Sequence, residues 1–147
     1  MDHTPVHEIS EEDCLKLLGL FDMGRLVFSV GDSAEIFPIN YHLVDRSITF
    51  RTAPGTKLAG ALVAREVLFE IDQVGEHEAW SVIARGRARR LETTAEIDAA
   101  EALPLQPLIP TVKREFVSID IGAVTGRRFH RSAEPDRDFD AVLDNPD

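Results

Sequence analysis

The sequence predicts a mainly β protein in which short strands form an antiparallel barrel accompanied by a few short helices. Three observations support this fold class. Runs of strand length carry β-type residues, turn residues separate these runs, and helical periodicity is confined to three short segments. Few and short helices favour this barrel over a parallel α/β sheet, whose strands are joined by helical crossovers.

The composition limits the classes of function. The chain has 147 residues, 44% hydrophobic and 29% charged, which is typical of one soluble globular domain. Its formal net charge of −10 argues against nucleic acid or anionic lipid as a partner, because their phosphates would be repelled. The longest apolar runs are far too short to span a membrane, and no signal peptide pattern is visible, so we expect a cytoplasmic protein.

Cysteine and histidine usage does not indicate a metal site. The single cysteine, Cys14, excludes an internal disulfide and a cysteine cluster. Of the five histidines, His3 and His7 are four residues apart, but they lie near an end of the chain that we expect to fray, and the motif H-E-x-x-H is absent. We therefore predict no metal.

Acidic charge is concentrated at the C-terminal end of the chain. Residues 132–147, SAEPDRDFDAVLDNPD, contain six acidic residues, one arginine and two prolines. Such a segment has too little apolar surface and too much like charge to form a core. We therefore divide the chain into a folded domain at 1–131 and an acidic tail at 132–147, which we expect to be disordered or loosely docked.

The first half of the domain is predicted to contain one helix followed by three strands. The helix begins after Ser10, whose hydroxyl can cap the amide of Asp13, and should end near Met23. GRLVFSV, EIFPINYHLV and SITFRT are interpreted as strands separated by turn residues. The second strand contains Pro38, which indicates a sheet edge or a bulge.

The second half is predicted to contain two short helices and the remaining strands. GTKLAGALVA is interpreted as a short helix, and TTAEIDAAEAL as a helix capped by Thr93 or Thr94. EVLFEID and AWSVIARGRARRLE are strands, the longer one with a bulge at Gly86. A proline-rich connection then leads to EFVSIDIGAVTGRRFHR, which supplies the last strands.

A basic cluster lies on the longer strand. Arg85, Arg87, Arg89 and Arg90 mostly alternate, so three of these side chains share one face of the sheet. They could bind a phosphate, but we favour pairing with aspartate and glutamate side chains on neighbouring strands.

The clearest binding pattern lies where the third strand leads into a helix. Arg51 and Thr52 end the strand, and Thr56 and Lys57 follow a Pro-Gly turn. A helix N-terminus favours an anion, and the two hydroxyls and two cations add donors and positive charge. This combination suits a phosphate monoester, although the spacing G-x-x-x-x-G-K-[ST] of a P-loop is absent.

Four sequence blocks carry a resemblance to a known family. In order, they are CLKLLGLFDMGRLVFSV, PINYHLVDRSITFRTAPGTKLAGAL, VLFEID and AWSVIARGRARRL, and the similarity extends over roughly 9–131. Together they resemble the pyridoxamine 5′-phosphate oxidase-like family of FMN-binding proteins, particularly its short actinobacterial members. The resemblance implies a six-stranded antiparallel split β-barrel that dimerises, with flavin in two equivalent clefts between the subunits.

The resemblance also implies roles for the residues at the strand-to-helix junction. Arg51, Thr52, Thr56 and Lys57 would hold the flavin phosphate, in agreement with their local chemistry. The oxidase itself usually has Ser-Arg-Lys where this chain has Thr56-Lys57-Leu58, so one cation is missing here.

Two further groups of residues would face the ring. The resemblance implies that backbone groups of Ile39 and Asn40 line the isoalloxazine, with the Asn40 amide able to donate and accept at its pyrimidine edge. Trp80 and Ser81 would reach the same cofactor from the other subunit.

A weaker similarity concerns the substrate. Arg128 and His130 form an Arg-x-His triplet that echoes the substrate-binding segment of the oxidase, but the longer surroundings of that segment are absent. We therefore treat these two residues as weak candidates and do not expect true pyridoxamine phosphate oxidase activity.

Three functions remain open at this point. The chain is an FMN-dependent oxidoreductase of unknown substrate, a deazaflavin-dependent reductase, or a non-catalytic protein that senses or stores flavin. A flavin carries the redox chemistry itself, so the lack of an obvious catalytic acid–base pair does not separate these functions. The expected partners are a second copy of the chain and a small redox substrate.

Overall fold

The computed structural model describes residues 6–52, 59–105 and 115–131. Within these ranges the chain forms seven strands and three short helices, and all the strands belong to one antiparallel sheet. In chain order, the elements are β1 (Val6–Ile9), α1 (Glu11–Leu20), β2 (Met23–Val30), β3 (Ser33–Val44), β4 (Ser47–Thr52), α2 (Gly60–Val63), β5 (Val67–Val74), β6 (Glu78–Arg90), α3 (Thr94–Glu101) and β7 (Glu115–His130).

Six of the strands close into a barrel. They pair in the order β7–β4–β3–β2–β5–β6, and β6 pairs with β7 to complete the ring. One edge of β7 serves two partners, because residues 115–120 pair with β4 and residues 126–129 pair with β1. The predicted fold class is confirmed. The short strand β1 was not predicted, because four residues are too few to establish a period-two pattern.

The barrel interior is filled by apolar side chains that alternate along the strands with outward-facing residues. Its largest fully buried members include Tyr41, Phe50, Phe69, Leu26 and Ile48. Such a continuous apolar interior is the main source of stabilisation for a barrel of this size.

Helix α1 packs against the barrel through Cys14 and Leu18, which are fully buried. Its N-terminus is capped as predicted, since the Ser10 hydroxyl accepts from the Asp13 amide at 3.1 Å. The helix ends at Leu20 rather than near Met23, because Met23 begins β2. Burial raises the pKa of the Cys14 thiol, which favours its neutral, unreactive form.

Helix α3 covers a second, smaller core outside the barrel. Leu91, Ala100, Leu105 and Phe116 are buried together there. Of the two predicted capping residues, Thr93 is the one used, because its hydroxyl accepts from the Glu96 amide at 3.1 Å.

Some predicted features fall outside the described ranges. Of the helix predicted in GTKLAGALVA, the structure describes the part around Gly60–Val63, and neither Thr56 nor Lys57 is included. The predicted tail at 132–147 also lies outside the described residues. No helix in the described ranges combines the length and the apolar character that a membrane span requires.

An irregularity is present at Gly86, but the extra residue lies on β7 and not on β6 as predicted. Gly86 pairs with Ile121, and Gly122 is left without a partner on β6. A Cβ atom on Gly86 would lie 2.1 Å from the carbonyl oxygen of Asp120, whereas one on Gly122 would meet its nearest neighbour at 3.6 Å. Close approach of two backbones therefore requires glycine at the first position only.

We expect Gly86→Ala to destabilise the domain by about 3 kcal/mol, because neither backbone can move without breaking barrel pairing. Urea unfolding followed by circular dichroism measures this change. Gly122→Ala is the matched control and should cost less than about 1 kcal/mol. Equal losses in the two variants would contradict the close approach.

Candidate functional site

The barrel is split between β3 and β4. The described pairing of these strands runs from the hairpin turn to Tyr41 opposite Phe50. Beyond that pair, β3 continues along β2 while β4 continues along β7, so the two strands diverge. Four of the predicted site residues border the opening: Ile39, Asn40, Arg51 and Thr52.

The backbone of β3 presents polar groups to this opening. The Tyr41 N–H donates to the Asp22 carbonyl at 2.8 Å, in the direction of β2. Because the N–H and C=O groups of successive residues face opposite edges of a strand, the backbone groups of Asn40 and the Pro38 carbonyl face the opening. Those of Ile39 face β2 and not the opening, where the prediction had placed them. Pro38 is tolerated because, among the described residues, β3 pairs there only with β2, which agrees with its predicted edge position.

The Asn40 side chain is anchored to the connection between α1 and β2. Its amide nitrogen donates to the Asp22 carbonyl at 3.0 Å. This bond orients the amide of a residue that is half-buried. The side chain of Ile39 points the other way, into the core.

Arg51 lies on the opposite side of the opening and is half-buried. One guanidinium nitrogen donates to the Leu105 carbonyl at 3.3 Å, and the guanidinium carbon lies 5.4 Å from the centre of the Phe116 ring. The Nε atom is buried and has no hydrogen-bond partner among the described residues, none of which forms an ion pair with Arg51. A buried donor without a partner costs about 1–3 kcal/mol, so this position favours an acceptor from a ligand.

These properties of Arg51 fit its predicted role in binding a phosphate. Thr52, which follows it, is buried. Thr56 and Lys57, the other two residues predicted to bind the phosphate, lie outside the described ranges, so their role remains a prediction.

Trp80 and Ser81 lie on β6, which is three strands away from β3 in either direction around the barrel. Trp80 is half-buried and packs against Phe21, with ring centres 5.4 Å apart. Within one chain the structure thus brings the residues of β3 and β4 together and places the pair on β6 on the opposite side.

The two weak substrate candidates lie at the end of β7. Arg128 forms an ion pair with Glu78 and pairs in register with Trp80. The exposed ring of His130 lies 5.2 Å from that of His7, nearly perpendicular to it. Across the described ranges, no group of three histidine, cysteine or acidic side chains is arranged to hold a metal.

The sequence did not reveal a charge cluster on the outer face of β2 and β5. Arg25 Nη2 lies 3.0 Å from Glu70 Oε1 and 2.5 Å from Asp72 Oδ2. Burial, reinforced by Asp72, raises the pKa of Glu70 to about 7, and the opposing effect of Arg25 is smaller. The hydrogen bond with Glu70 and the contact with Arg25 lower the pKa of Asp72. The alternation in FEID indicates that both carboxylates share a face, but only the register shows their common arginine.

Comparison with known proteins defines the family. A family model described as pyridoxamine 5′-phosphate oxidase matches residues 10–128 of this chain. Since the match covers most of the sequence, the chain belongs to this family, as the sequence blocks indicated.

Several relatives have related sequences and structures. An uncharacterised protein of Mycobacterium tuberculosis is 42% identical over 92 residues, which are 63% of this chain and 84% of that protein. A proposed pyridoxamine 5′-phosphate oxidase of Corynebacterium glutamicum has a crystal structure with a TM-score of 0.77 and 36% identity, covering 90% of this chain and 98% of its own. The structure of the FAD binding protein from Mycobacterium smegmatis has a TM-score of 0.75 and 37% identity, covering 86% of this chain and 100% of its own.

The raised pKa of Glu70 has a consequence for stability. A carboxyl whose folded-state pKa exceeds its unfolded value stabilises the fold at low pH, and this contribution is lost as pH rises through the folded value. The free energy of unfolding of the wild type should therefore fall relative to that of Glu70→Gln between about pH 4.5 and pH 7, by an amount on the order of 2 kcal/mol. The pKa of Asp72 is shifted in the opposite direction, so its effect on stability falls at lower pH.

Thermal unfolding at pH 5 and pH 8 measures this difference between the two proteins. Glu101→Gln, which removes an exposed carboxylate of α3, is the matched control and should differ from the wild type by the same amount at both pH values. If the wild type instead became more stable than Glu70→Gln as pH rises, the attraction of Arg25 would outweigh the effect of burial on the pKa of Glu70.

Proposed function

We propose that this chain is a flavin-dependent oxidoreductase that holds its cofactor at the opening between β3 and β4. The observation that carries this proposal is Arg51, a half-buried cation whose Nε has no partner among the described residues. Membership of the pyridoxamine 5′-phosphate oxidase family supports it, as does the Mycobacterium smegmatis neighbour described as FAD binding.

The chain's own residues bind and orient the cofactor. Arg51 donates to the flavin phosphate, and Thr52, Thr56 and Lys57 complete that contact. The backbone groups of Asn40 face the opening and supply directional hydrogen bonds to the polar edge of the ring. When bound, the flavin supplies the hydride and electron transfer chemistry.

We also propose that the functional unit is a homodimer. Trp80 and Ser81 are three strands away from β3 around the barrel, so they contact the same cofactor only if a second copy contributes them. Two symmetric openings then result from one two-fold axis. Light scattering of the purified protein should give twice the mass of the chain, and a flavin-loaded monomer would exclude the shared cleft.

The cofactor is FMN in our proposal, and the neighbour described as FAD binding makes FAD the second candidate. A deazaflavin is the remaining alternative. The visible spectrum separates a flavin from a deazaflavin, and mass spectrometry of the compound released by heat separates FMN from FAD.

The role of Arg51 is tested by comparing two ligands that differ by one phosphate. We expect Arg51→Ala to weaken FMN binding by roughly ten- to a hundredfold and riboflavin binding much less, because a charge-assisted contact to phosphate is lost. Lys57→Ala should have the same selectivity. Fluorescence titration measures both affinities.

Arg46→Ala is the matched control for this experiment. It removes another arginine, which lies in the hairpin turn and pairs with Glu11 at 2.6 Å. It should leave both affinities unchanged. Equal weakening of FMN and riboflavin in Arg51→Ala would mean that Arg51 does not contact the phosphate.

Turnover tests the oxidoreductase function directly. Protein loaded with FMN should be reduced by a nicotinamide donor and reoxidised by oxygen or an added acceptor over repeated cycles. We expect His130→Ala to change the rate by less than about tenfold, because this side chain is exposed at the end of β7. A hundredfold loss would support the hypothesis that Arg128 and His130 bind the substrate. Tight flavin binding without any turnover would favour a sensing or storage function.

A further inference from the structure

The basic cluster of β6 is only partly explained by ion pairs. Arg89 lies 2.9 Å from both Asp120 and Glu96, and Arg90 lies 3.4 Å from Glu115, which confirms the predicted pairing for these two arginines. Arg85 and Arg87 form no ion pair with any carboxylate of the described residues. In a chain with a net charge of −10, two unpaired arginines on one strand call for another explanation.

The two unpaired arginines line a cavity with a third. Arg65, from the connection between α2 and β5, joins Arg85 and Arg87 around a volume of about 310 Å³. Arg65 also lacks an ion pair among the described residues. The remaining lining residues are Glu66, Gly86, Asp120, Gly122 and Ala123.

The floor of this cavity is formed by the bulge between β6 and β7. Gly86 and Gly122 have no side chains, so the surface between the arginines is backbone. Bulges are frequent beside binding sites, because they redirect side chains and leave backbone groups outside the regular ladder. Arginine forks around exposed backbone suit an oxyanion such as phosphate.

The two acidic lining residues do not cancel the positive charge. The carboxylate of Asp120 is held by Arg89 at 2.9 Å and by the Ser47 hydroxyl at 3.0 Å, so its charge is already shared. Among the described lining residues, Glu66 is then the one carboxylate whose charge is left to offset that of the three arginines. The cavity therefore has a local excess of positive charge.

An apolar cavity adjoins the cationic one. It has a volume of about 360 Å³, and Val27, Phe28, Ala64 and Leu68 supply most of its lining, together with Ser29, Arg65 and Glu66. Arg65 and Glu66 line both cavities. On the outer face, Val27 pairs with Leu68 and Leu68 pairs with Arg85, so the apolar surface leads directly to the arginines.

We propose that these two cavities form one binding site for an amphiphilic organic anion. The anionic head, a phosphate or carboxylate, lies between Arg65, Arg85 and Arg87, and the apolar part lies over Val27 and Leu68. This site differs from the opening that contains Arg51. Asp120 in the cavity and Phe116 beneath Arg51 are four positions apart on β7, about 13 Å.

Calorimetric titration of the full chain with three probes tests the site. Hexyl phosphate should bind more tightly than inorganic phosphate, and hexanol should not bind measurably. We expect Arg85→Ala and Arg87→Ala each to weaken both phosphate probes by about tenfold or more. Leu68→Ala should weaken hexyl phosphate and leave inorganic phosphate unchanged.

Lys16→Ala is the matched control for the charge change. It removes an exposed cation of α1 and should leave all affinities unchanged. Absence of hexyl phosphate binding to the wild type, or equal binding in Arg85→Ala and Arg87→Ala, would overturn the proposal. Selective loss of FMN over riboflavin in these variants would also overturn it, by assigning the cavity to the flavin phosphate.

Discussion

The pairing of β7 is the constraint on which the rest of the molecule depends. Its one edge pairs with β6 along most of its length and closes the barrel, while its other edge changes partner from β4 to β1. The opening between β3 and β4 and the cavity lined by Arg65, Arg85 and Arg87 both depend on this arrangement. The bulge that leaves Gly122 unpaired provides the backbone floor of the cationic cavity, near the point where the partner changes.

The opening of the barrel depends on the same strand. β4 remains bound to β7 as far as Thr52 opposite Glu115, although its pairing with β3 ends at Phe50. Arg51 is therefore held against Phe116 by a continuous ladder while its other side faces the gap. The strand on one side and the hydrogen-bonded Asn40 on the other would preorganise the proposed site, since little side-chain freedom remains to be lost on binding.

Local signals in the sequence were sufficient for most of the fold. The caps at Ser10 and Thr93, the edge position of Pro38 and the irregular pairing at Gly86 each arise from the chemistry of one or two neighbouring residues, although the extra residue of that irregularity lies on β7. The strand β1 and the ion pairs of Arg25 could not be found in this way. They depend on which strands become neighbours and in which register, and that information is distributed over the whole chain.

The candidate site shows the same division. The cations and hydroxyls from Arg51 to Lys57 indicate an anion on their own, whereas the relation of this segment to Asn40 came from the family resemblance. The sequence did not separate Arg85 from Arg89, since it predicts both on the same face. Arg89 forms ion pairs with Asp120 and Glu96 and Arg85 does not, because only Arg89 lies within reach of these carboxylates.

Charge then explains how an acidic protein could bind the anions that we propose. A net charge of −10 repels anions at long range, but salt screens this repulsion over about 8 Å at physiological ionic strength. Binding must therefore come from short contacts in which an arginine is not already paired with a carboxylate. Arg51 and the three arginines of the cavity, Arg65, Arg85 and Arg87, form no ion pair among the described residues. Arg51 is in addition partly buried, and the other three converge on one cavity. Because burial protects a contact from screening, we expect anion binding at the opening to be less sensitive to salt than anion binding at the more exposed cavity.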